Sequence, residues 1–306
     1  MKRYILLFLT IIVCGNTYAQ SRDVLYKRFS EIIHQKDTAA IVNLISEWER
    51  LYPNDAELYS VRANYAYKSA FHETVVLSDE LPQDVDRYLE IKDPKDSTKI
   101  EGYMFSRIET DSLKISETAS ILSEGIAEYP DRIDLRMGKV RILLDTGHIQ
   151  EAMDEISSAL RYSKVNGNKW LTTLDAPVKT DGVSYLQECV QDYLFEIMDA
   201  DALSEAENMI DTAVSCYPRD AVFLSDKATL LYFSGDLQKA LKTYQKASKF
   251  APEDMLILNN IAQIHSELGH VNEALKCYRT IAESSDEEYA PIAEQAIKEL
   301  SADRTK

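Results

Sequence analysis

The C-terminal third of the chain repeats with a period of 34 residues. Residues 187–220, 221–254 and 255–288 align as three consecutive blocks without a gap. Each block carries an alanine in one column and, three positions earlier, an aliphatic residue that opens the second of two predicted helices. The alanines are Ala206, Ala240 and Ala274, and the opening residues are Leu203, Leu237 and Val271. A fixed period of this length is typical of a solenoid, in which each repeat buries its apolar face against the next.

Two further columns mark the turns between the helices. Gly235 and Gly269 lie just before the second helix of their blocks, and Pro218 and Pro252 close two blocks, where proline stops a helix. A 34-residue helix–turn–helix period with these columns resembles the tetratricopeptide repeat, abbreviated TPR. The resemblance implies an all-α fold, a right-handed helical solenoid whose concave groove normally holds another protein.

Segments nearer the N-terminus follow the same 34-residue pattern less closely. Apolar residues spaced three and four positions apart predict helical hairpins over residues 22–55 and 133–166. A first helix over 56–72 has its natural partner at 112–129. A last amphipathic helix, at about 288–300, predicts the solvated cap that a repeat array needs at an open end. We therefore expect one solenoid domain over residues 20–306, made of six helix pairs and a cap.

Two segments interrupt the array. Residues at about 73–110 separate the two helices of one hairpin, and within them 88–92 and 100–105 flank a Pro/Asp/Ser turn. Apolar and aromatic segments on both sides of such a turn predict a β-hairpin. Residues at about 163–183 carry the turn pairs Asn166-Gly167 and Asp181-Gly182, which exclude a continuous helix. Because insertions in solenoids often emerge on the binding face, we expect residues 85–110 to form one wall of the groove.

The N-terminus has the pattern of a secretory signal peptide. A basic start is followed by an uncharged run over residues 4–13 and by Thr17-Tyr18-Ala19. The apolar run is shorter than the roughly 20 residues that span a bilayer. We expect residues 1–19 to be cleaved, which leaves Gln20 first in a protein exported to the periplasm or the extracellular space. The general layout also resembles exported TPR proteins of bacterial envelopes.

A lipid anchor on Cys14 is the alternative to simple cleavage. The lipoprotein pattern has Gly, Ala or Ser directly before the modified cysteine, whereas Val13 stands there in this chain. This mismatch favours cleavage without lipidation.

The chain is strongly acidic, and this restricts its partners. It has 34 basic and 51 acidic residues and a net charge of −17, which becomes −19 once cleavage removes two of the basic residues. Nucleic acids and anionic lipid headgroups both require a basic surface, so neither is an expected partner. Solubility or a basic protein partner is compatible with this charge.

Three cysteines, Cys189, Cys216 and Cys277, lie beyond the predicted signal peptide. An odd number leaves at least one thiol without a partner inside the chain. Cys189 and Cys216 are expected near the meeting ends of one hairpin, so a bridge between them is conceivable if their Cα atoms come within about 7 Å. Burial as small apolar side chains is the interpretation we favour.

No motif for catalysis or metal binding is found. His265 and His270 are five residues apart and miss the i, i+4 spacing of the helical zinc motif. No phosphate-binding glycine loop occurs in a chain with only nine glycines, and neither insertion contains a recognisable nucleophile–base pair. We expect no metal, no cofactor and no enzymatic activity.

The candidate binding residues come from the first helices, whose inner face forms the groove in TPR proteins. TPR domains that clamp a C-terminal carboxylate use Lys, Arg and Asn there, but here Arg141 is the one fixed cation among rings and amides. This pattern predicts an extended, largely uncharged or mildly basic polypeptide as the ligand. A glycan held by Trp170, Tyr103 and Phe105, in an uptake-associated protein, is the alternative. The predicted partner-binding residues are Tyr26, Asn64, Tyr67, Arg141, Phe195, Tyr232, Asn259 and Gln263.

Overall fold

A computed structural model describes residues 21–35, 37–199 and 202–303. The predicted signal peptide, its cleavage site and Cys14 lie outside these residues. In chain order the helices are α1 (Arg22–Ile32), α2 (Thr38–Leu51), α3 (Ala56–Ser69), α4 (Ser112–Glu128), α5 (Ile133–Asp145), α6 (Ile149–Asn166), α7 (Gly182–Asp199), α8 (Leu203–Cys216), α9 (Ala221–Phe233), α10 (Leu237–Ser248), α11 (Met255–Glu267), α12 (Val271–Ala282) and α13 (Tyr289–Asp303). Helices α1 to α12 pack as six consecutive pairs, and α13 packs on α12 and α11 at the C-terminal end. The all-α solenoid architecture is confirmed.

The boundaries of the C-terminal hairpins follow the repeat columns. Helices α8, α10 and α12 begin at the three residues predicted to open them. Gly235 and Gly269 have φ angles of 81° and 74°, a left-handed conformation that favours glycine at the turn. Each of these glycines therefore allows the sharp reversal between the two helices of its pair.

A Pro-x-Asp sequence ends one hairpin and starts the next. The prolines of this sequence stop the preceding helix, and the aspartates lie at the N-caps of α3, α9 and α11. These caps are Asp55, Asp220 and Asp254, and each side chain accepts a hydrogen bond from a backbone N–H of the first helical turn. Such a cap stabilises a helix by about 1 kcal/mol.

The alanine column lies in the tightest contacts of the core. Ala206, Ala240 and Ala274 are completely buried. Ala240 packs within an apolar cluster that includes Leu224 and Ile257 from the neighbouring first helices α9 and α11. The small side chains leave room for bulky neighbours on the facing helices.

The first insertion is a three-stranded antiparallel sheet. Its strands are β1 (Phe71–Ser78), β2 (Tyr88–Asp93) and β3 (Asp96–Thr110), in the order β1-β3-β2. The predicted hairpin is β2 and β3, while β1 was not predicted, because the chain leaves α3 at Ser69 rather than at residue 72. The N–H of Asp111 donates to the carbonyl of Ala70 at 2.7 Å, so the insertion begins and ends at one point. Helices α3 and α4 can therefore pair as an ordinary hairpin.

The second interruption is a loop anchored to the helices by Trp170. Helix α6 continues to Asn166 and ends at Gly167, which has a φ of 63°. The loop then contains a short 3₁₀ turn over Thr173–Asp175, and Trp170 is buried with 1% of its surface exposed. Phe105 is also buried, at 4% exposed, so the predicted glycan platform of Trp170, Tyr103 and Phe105 is wrong. Two of its three rings pack inside the protein.

Buried ion pairs connect this loop to the N-terminal hairpins. Arg132 is 1% exposed, and its guanidinium lies 2.9 Å from Glu57, 2.7 Å from Asp134 and 3.4 Å from Asp175 of the loop. The N–H of Leu174 also donates to Glu57. Glu57 is completely buried, and these contacts all reach one of its oxygens, so burial still raises the pKa of its carboxyl.

The cysteines are half-buried thiols without a bridge. Cys189, Cys216 and Cys277 are all free, and the first two pack against the same apolar cluster. The conceivable Cys189–Cys216 bridge is therefore not formed. Burial raises the pKa of the Cys189 thiol to about 12, which keeps it protonated and unreactive at neutral pH.

Candidate functional site

A cavity of about 310 Å³ opens between the first helices α7, α9 and α11, with α10 behind it. It is lined by rings, amides, hydroxyls and one carboxylate, and no lining residue is basic. We call this space the α9 cavity. Its position matches the inner face of the first helices, where the binding residues were predicted.

The floor of the α9 cavity is the carboxylate of Asp226, which is 6% exposed. The side-chain amide of Gln191 on α7 donates to its Oδ1 at 3.0 Å. Its other oxygen, Oδ2, is buried and accepts no hydrogen bond from any residue that the structure describes. Burial raises the pKa of Asp226 to about 7, against the hydrogen bond from Gln191, which lowers it, and nearby Asp220 raises the pKa further. A buried carboxylate with one oxygen unsatisfied is costly for a fold and is often associated with function.

The rear wall is a chain of hydroxyl and amide groups. The hydroxyls of Thr229 on α9 and Tyr244 on α10 share a hydrogen bond of 2.7 Å. The side-chain amide of Asn260 on α11 donates to Tyr244 at 3.1 Å. These bonds connect three helices and hold the polar wall in one arrangement.

The mouth carries a second hydrogen-bonded group, on α9 and α11. The Tyr232 hydroxyl donates to Glu267, and this bond raises the pKa of the phenol. The amide of Gln263 donates to Tyr232 at 2.9 Å and to Glu267 at 3.1 Å. Glu267 thus adds a negative charge next to the cavity.

Two phenylalanine rings stand exposed at the rim. Phe195 on α7 is 57% exposed and Phe233 at the end of α9 is 61% exposed. The ring of Tyr232 meets that of Phe233 edge to face, with centroids 5.5 Å apart. Large apolar side chains exposed together beside a polar cavity are typical of a binding site.

The structure brings three of the predicted binding residues together. Phe195, Tyr232 and Gln263 line the α9 cavity. Asn259 is half-buried beside it, and its neighbour Asn260 takes the lining position. Whether these residues bind a partner stays a prediction.

The other predicted residues lie elsewhere and have partners of their own. Tyr26 is half-buried and packs edge to face on Trp48, so it belongs to the core of the first hairpin. Asn64 is exposed and donates to the carbonyl of Ser60 at 2.8 Å, one turn earlier on α3. No residue of 85–110 lines the α9 cavity, which is formed by helices alone. The predicted wall of the groove at 85–110 stays a prediction.

Tyr67 and Arg141 belong to a polar network on the first helices α3, α5 and α7. The Tyr67 hydroxyl donates to Asp145 at 2.8 Å. Arg141 donates to the same carboxylate at 2.8 Å and to both oxygens of Glu196 at 2.6 and 2.8 Å. The guanidinium lowers the pKa of Glu196, mainly through these hydrogen bonds. The one predicted groove cation is therefore already neutralised by two carboxylates.

Sequence reasoning missed Asp226, which the structure makes the floor of the cavity. One signal was present: the helical period puts Asp226 on the same side as Phe223 and Leu230, which are both buried. A single acid on the apolar side of a helix indicates a polar contact inside the fold.

Neither a metal site nor a membrane-spanning helix is found in the described part of the chain. The residues that the structure describes contain no group of three or more His, Cys, Asp and Glu side chains that could hold a metal ion. Within the same part of the chain, no helix is both long and apolar enough to cross a membrane.

The chain matches known proteins through its repeats. Residues 257–287, which cover α11 and α12, match the family model of the tetratricopeptide repeat. No curated protein sequence matches the chain.

Similar solved structures are also TPR proteins or complexes. YrrB, a TPR protein with an unusual peptide-binding site, is 12% identical, with 82% of this chain and 97% of YrrB covered at a TM-score of 0.40. PcrH in complex with the chaperone-binding region of PopD is 17% identical. The match covers 38% of this chain and 92% of the PcrH chain, at a TM-score of 0.35. A thermophilic TPR protein of Thermus thermophilus is 15% identical. The match covers 62% of this chain and 91% of the Thermus protein, at a TM-score of 0.35. Such low scores carry no argument about the ligand of this chain.

Proposed function

We propose that this chain, a tetratricopeptide repeat protein, is a non-catalytic scaffold that holds an extended polypeptide across the first helices of its repeats. The observation that carries the proposal is the α9 cavity, with the exposed rings of Phe195 and Phe233 at its rim. Side chains of an extended ligand would pack on these rings, and burial of apolar surface contributes about 25 cal/mol per Å². Aromatic side chains of this kind are enriched in protein interfaces.

Polar groups around the rings can recognise a peptide backbone. Gln263 at the mouth and Asn260 on the rear wall carry side-chain amides. Their nitrogens donate to Tyr232, Glu267 and Tyr244, and their oxygens can accept a hydrogen bond from a ligand. The peptide groups of an extended segment need both kinds of partner when they leave water. The site can therefore bind a backbone with little dependence on sequence, while the cavity selects one side chain.

The charges on the first helices argue against a ligand that ends in a free carboxylate at this face. Arg141 is engaged by Glu196 and Asp145, so its five N–H donors are largely occupied. The mouth of the α9 cavity carries Glu267, and the floor carries Asp226. A ligand of neutral or basic character fits this arrangement better than an acidic one.

An envelope or secreted location is part of the same proposal. It is supported by the signal-peptide pattern of residues 1–19. The net charge of −17 separately disfavours nucleic acids and anionic membrane surfaces as partners. The partner would then be another exported protein. A scaffold without catalytic groups would assemble or present such a protein.

A peptide selection tests the proposal directly. Random 12-residue peptides displayed on phage are selected on the chain without residues 1–19, and the enriched peptides are synthesised for calorimetry. The variant Phe195→Ala/Phe233→Ala should bind them at least about fivefold more weakly, which corresponds to about 1 kcal/mol. Both rings are more than half exposed, so the fold should persist without them.

The control is Phe250→Ala, which removes another exposed ring that does not line the cavity. It should leave the affinity unchanged. Selection that enriches no peptide, or peptides that bind the double variant as tightly as the original protein, would show that the first-helix face is not the binding surface.

A further inference from the structure

The carboxyl group at the floor of the α9 cavity has no basic partner among the residues that the structure describes. Asp226 receives one hydrogen bond, from the neutral amide of Gln191, and its Oδ2 is buried without a donor among the described residues. The next residue, Lys227, pairs with Asp211 of α8 and does not line the cavity. The described part of the chain therefore leaves a place beside this carboxyl group for a basic group of a ligand.

Every element around Asp226 contributes a neutral or an acidic group. Gln191 comes from α7, Tyr244 from α10 and Asn260 from α11. The acidic neighbours are Asp220 at the start of α9 and Glu267 at the mouth. The electrostatic potential in the cavity is therefore negative, and a cation is the ligand charge that it favours.

The rim adds a second feature that suits an organic cation. Phe195, Tyr232 and Phe233 present aromatic rings at the opening. The face of such a ring attracts an ammonium or a guanidinium group, and the ring also covers the methylene groups of a long side chain. A carboxylate at the bottom and rings at the rim match a side chain that is apolar along its stem and charged at its tip.

We propose that the α9 cavity binds an arginine or lysine side chain of the polypeptide ligand, with its charged end directed to Asp226 and its stem between Phe195 and Phe233. This inference rests on the proposed function for its natural ligand, but the cavity can be tested with isolated side chains. It names the feature that the partner must carry, a basic residue within an extended segment.

The binding should depend on pH because the cation-binding form of Asp226 is the carboxylate. With a pKa of about 7, about a tenth of the carboxyl groups are ionised at pH 6 and about nine tenths at pH 8. Affinity for a cation should therefore rise about tenfold between pH 6 and pH 8.

The test uses two small probes of nearly the same shape, one with a guanidinium cation and one with a neutral ureido group. Nα-acetylarginine methylamide and its neutral isostere Nα-acetylcitrulline methylamide are titrated into the isotopically labelled chain without residues 1–19, and backbone amide shifts of α9 are followed by NMR. At pH 8 the arginine probe should bind at least about tenfold more tightly than the citrulline probe. Asp226→Asn should remove this preference and its pH dependence.

Two further variants separate the contribution of the aromatic rim from that of the Asp226 charge. Phe195→Ala should weaken both probes to a similar extent, because the ring covers the stem that the two share. Glu253→Gln changes an exposed acid that does not line the cavity and should alter neither. Equal binding of the two probes to the original protein, or an arginine preference that survives in Asp226→Asn, overturns the inference.

The outcomes also separate this inference from the proposed function. If selected peptides bind with no enrichment of Arg or Lys, and the arginine probe binds no more tightly than the citrulline probe, the scaffold function stands. The proposal that the α9 cavity binds a basic side chain is then refuted. If the arginine probe binds through Asp226 but no peptide is selected, the pocket stands and the scaffold function is refuted. Failure of both probes and peptides refutes both.

Discussion

Replacing Asp226 with Asn should stabilise the folded protein, and the gain should increase with pH. Burial raises the pKa of the carboxyl from 3.8 to about 7. Between these two values the folded protein keeps a proton that the unfolded chain has released, so stability falls as pH rises. Above about pH 7 both states are ionised and the loss is complete. Asn carries no charge in either state and avoids this loss.

The magnitude follows from the distance between the two pKa values. Each pH unit between them changes the free energy of unfolding by about 1.4 kcal/mol, so the loss from pH 4 to pH 8 is about 4 kcal/mol. The new amide has a cost of its own. If its nitrogen takes the place of Oδ2, which has no partner, an unsatisfied donor costs about 1–3 kcal/mol. The net gain at pH 8 should therefore be about 1–3 kcal/mol.

Urea unfolding followed by far-ultraviolet circular dichroism, at several pH values from 4 to 8, measures this effect. The informative quantity is the difference between variant and original protein at each pH, because contributions from the other carboxylates cancel. Glu253→Gln is the control and should show a difference near zero throughout. A stability difference for Asp226→Asn that is the same at pH 4 and pH 8 would refute the argument that the buried carboxylate ionises at a cost.

Three other expectations follow from the structure and the sequence. Ala240→Leu should lower the free energy of unfolding by about 1–3 kcal/mol, because the site is completely buried, and a neutral result in the same urea assay would contradict the tight contact. Arg132→Met should cost about 3–5 kcal/mol, because it removes the closer of the two cations at the buried Glu57 and leaves Arg22, 3.5 Å away, and adding Glu57→Gln should recover part of this loss. N-terminal sequencing of protein from the native host should find Gln20 first, whereas a retained Met1 or an acylated Cys14 would contradict the export prediction.

The repeat architecture could be predicted from the sequence because its contacts are mostly local. Each helix pairs with the next helix in the chain, and each hairpin packs on its neighbour, so one pattern of about 34 residues describes both contacts. For this reason Leu203, Leu237 and Val271 marked the first residues of α8, α10 and α12. The hairpin of β2 and β3 was predictable for the same reason, since its turn lies between paired strands.

Strand β1 was not predicted because its pairing is distant in sequence. Phe71 lies opposite Thr110, and the strand is formed by a partner that follows β2. Apolar residues near the end of a predicted helix are equally compatible with one more helical turn. Pairing with β3 decides between the two, and this contact exists only in the folded protein.

Only some of the residues that line the α9 cavity could be predicted from the sequence. The repeat register placed Phe195, Tyr232 and Gln263 on one face, because a register determines which side of a helix a residue occupies. The same register could not tell that Tyr26 packs on Trp48 or that Arg141 is neutralised by Glu196, because these contacts depend on how neighbouring helices pack. In the sequence, Asp226 is one of 51 acidic residues. Only the packing of α7, α10 and α11 around it removes its water, raises its pKa and leaves Oδ2 without a donor, because desolvation depends on all the surrounding atoms and not on neighbours in the chain.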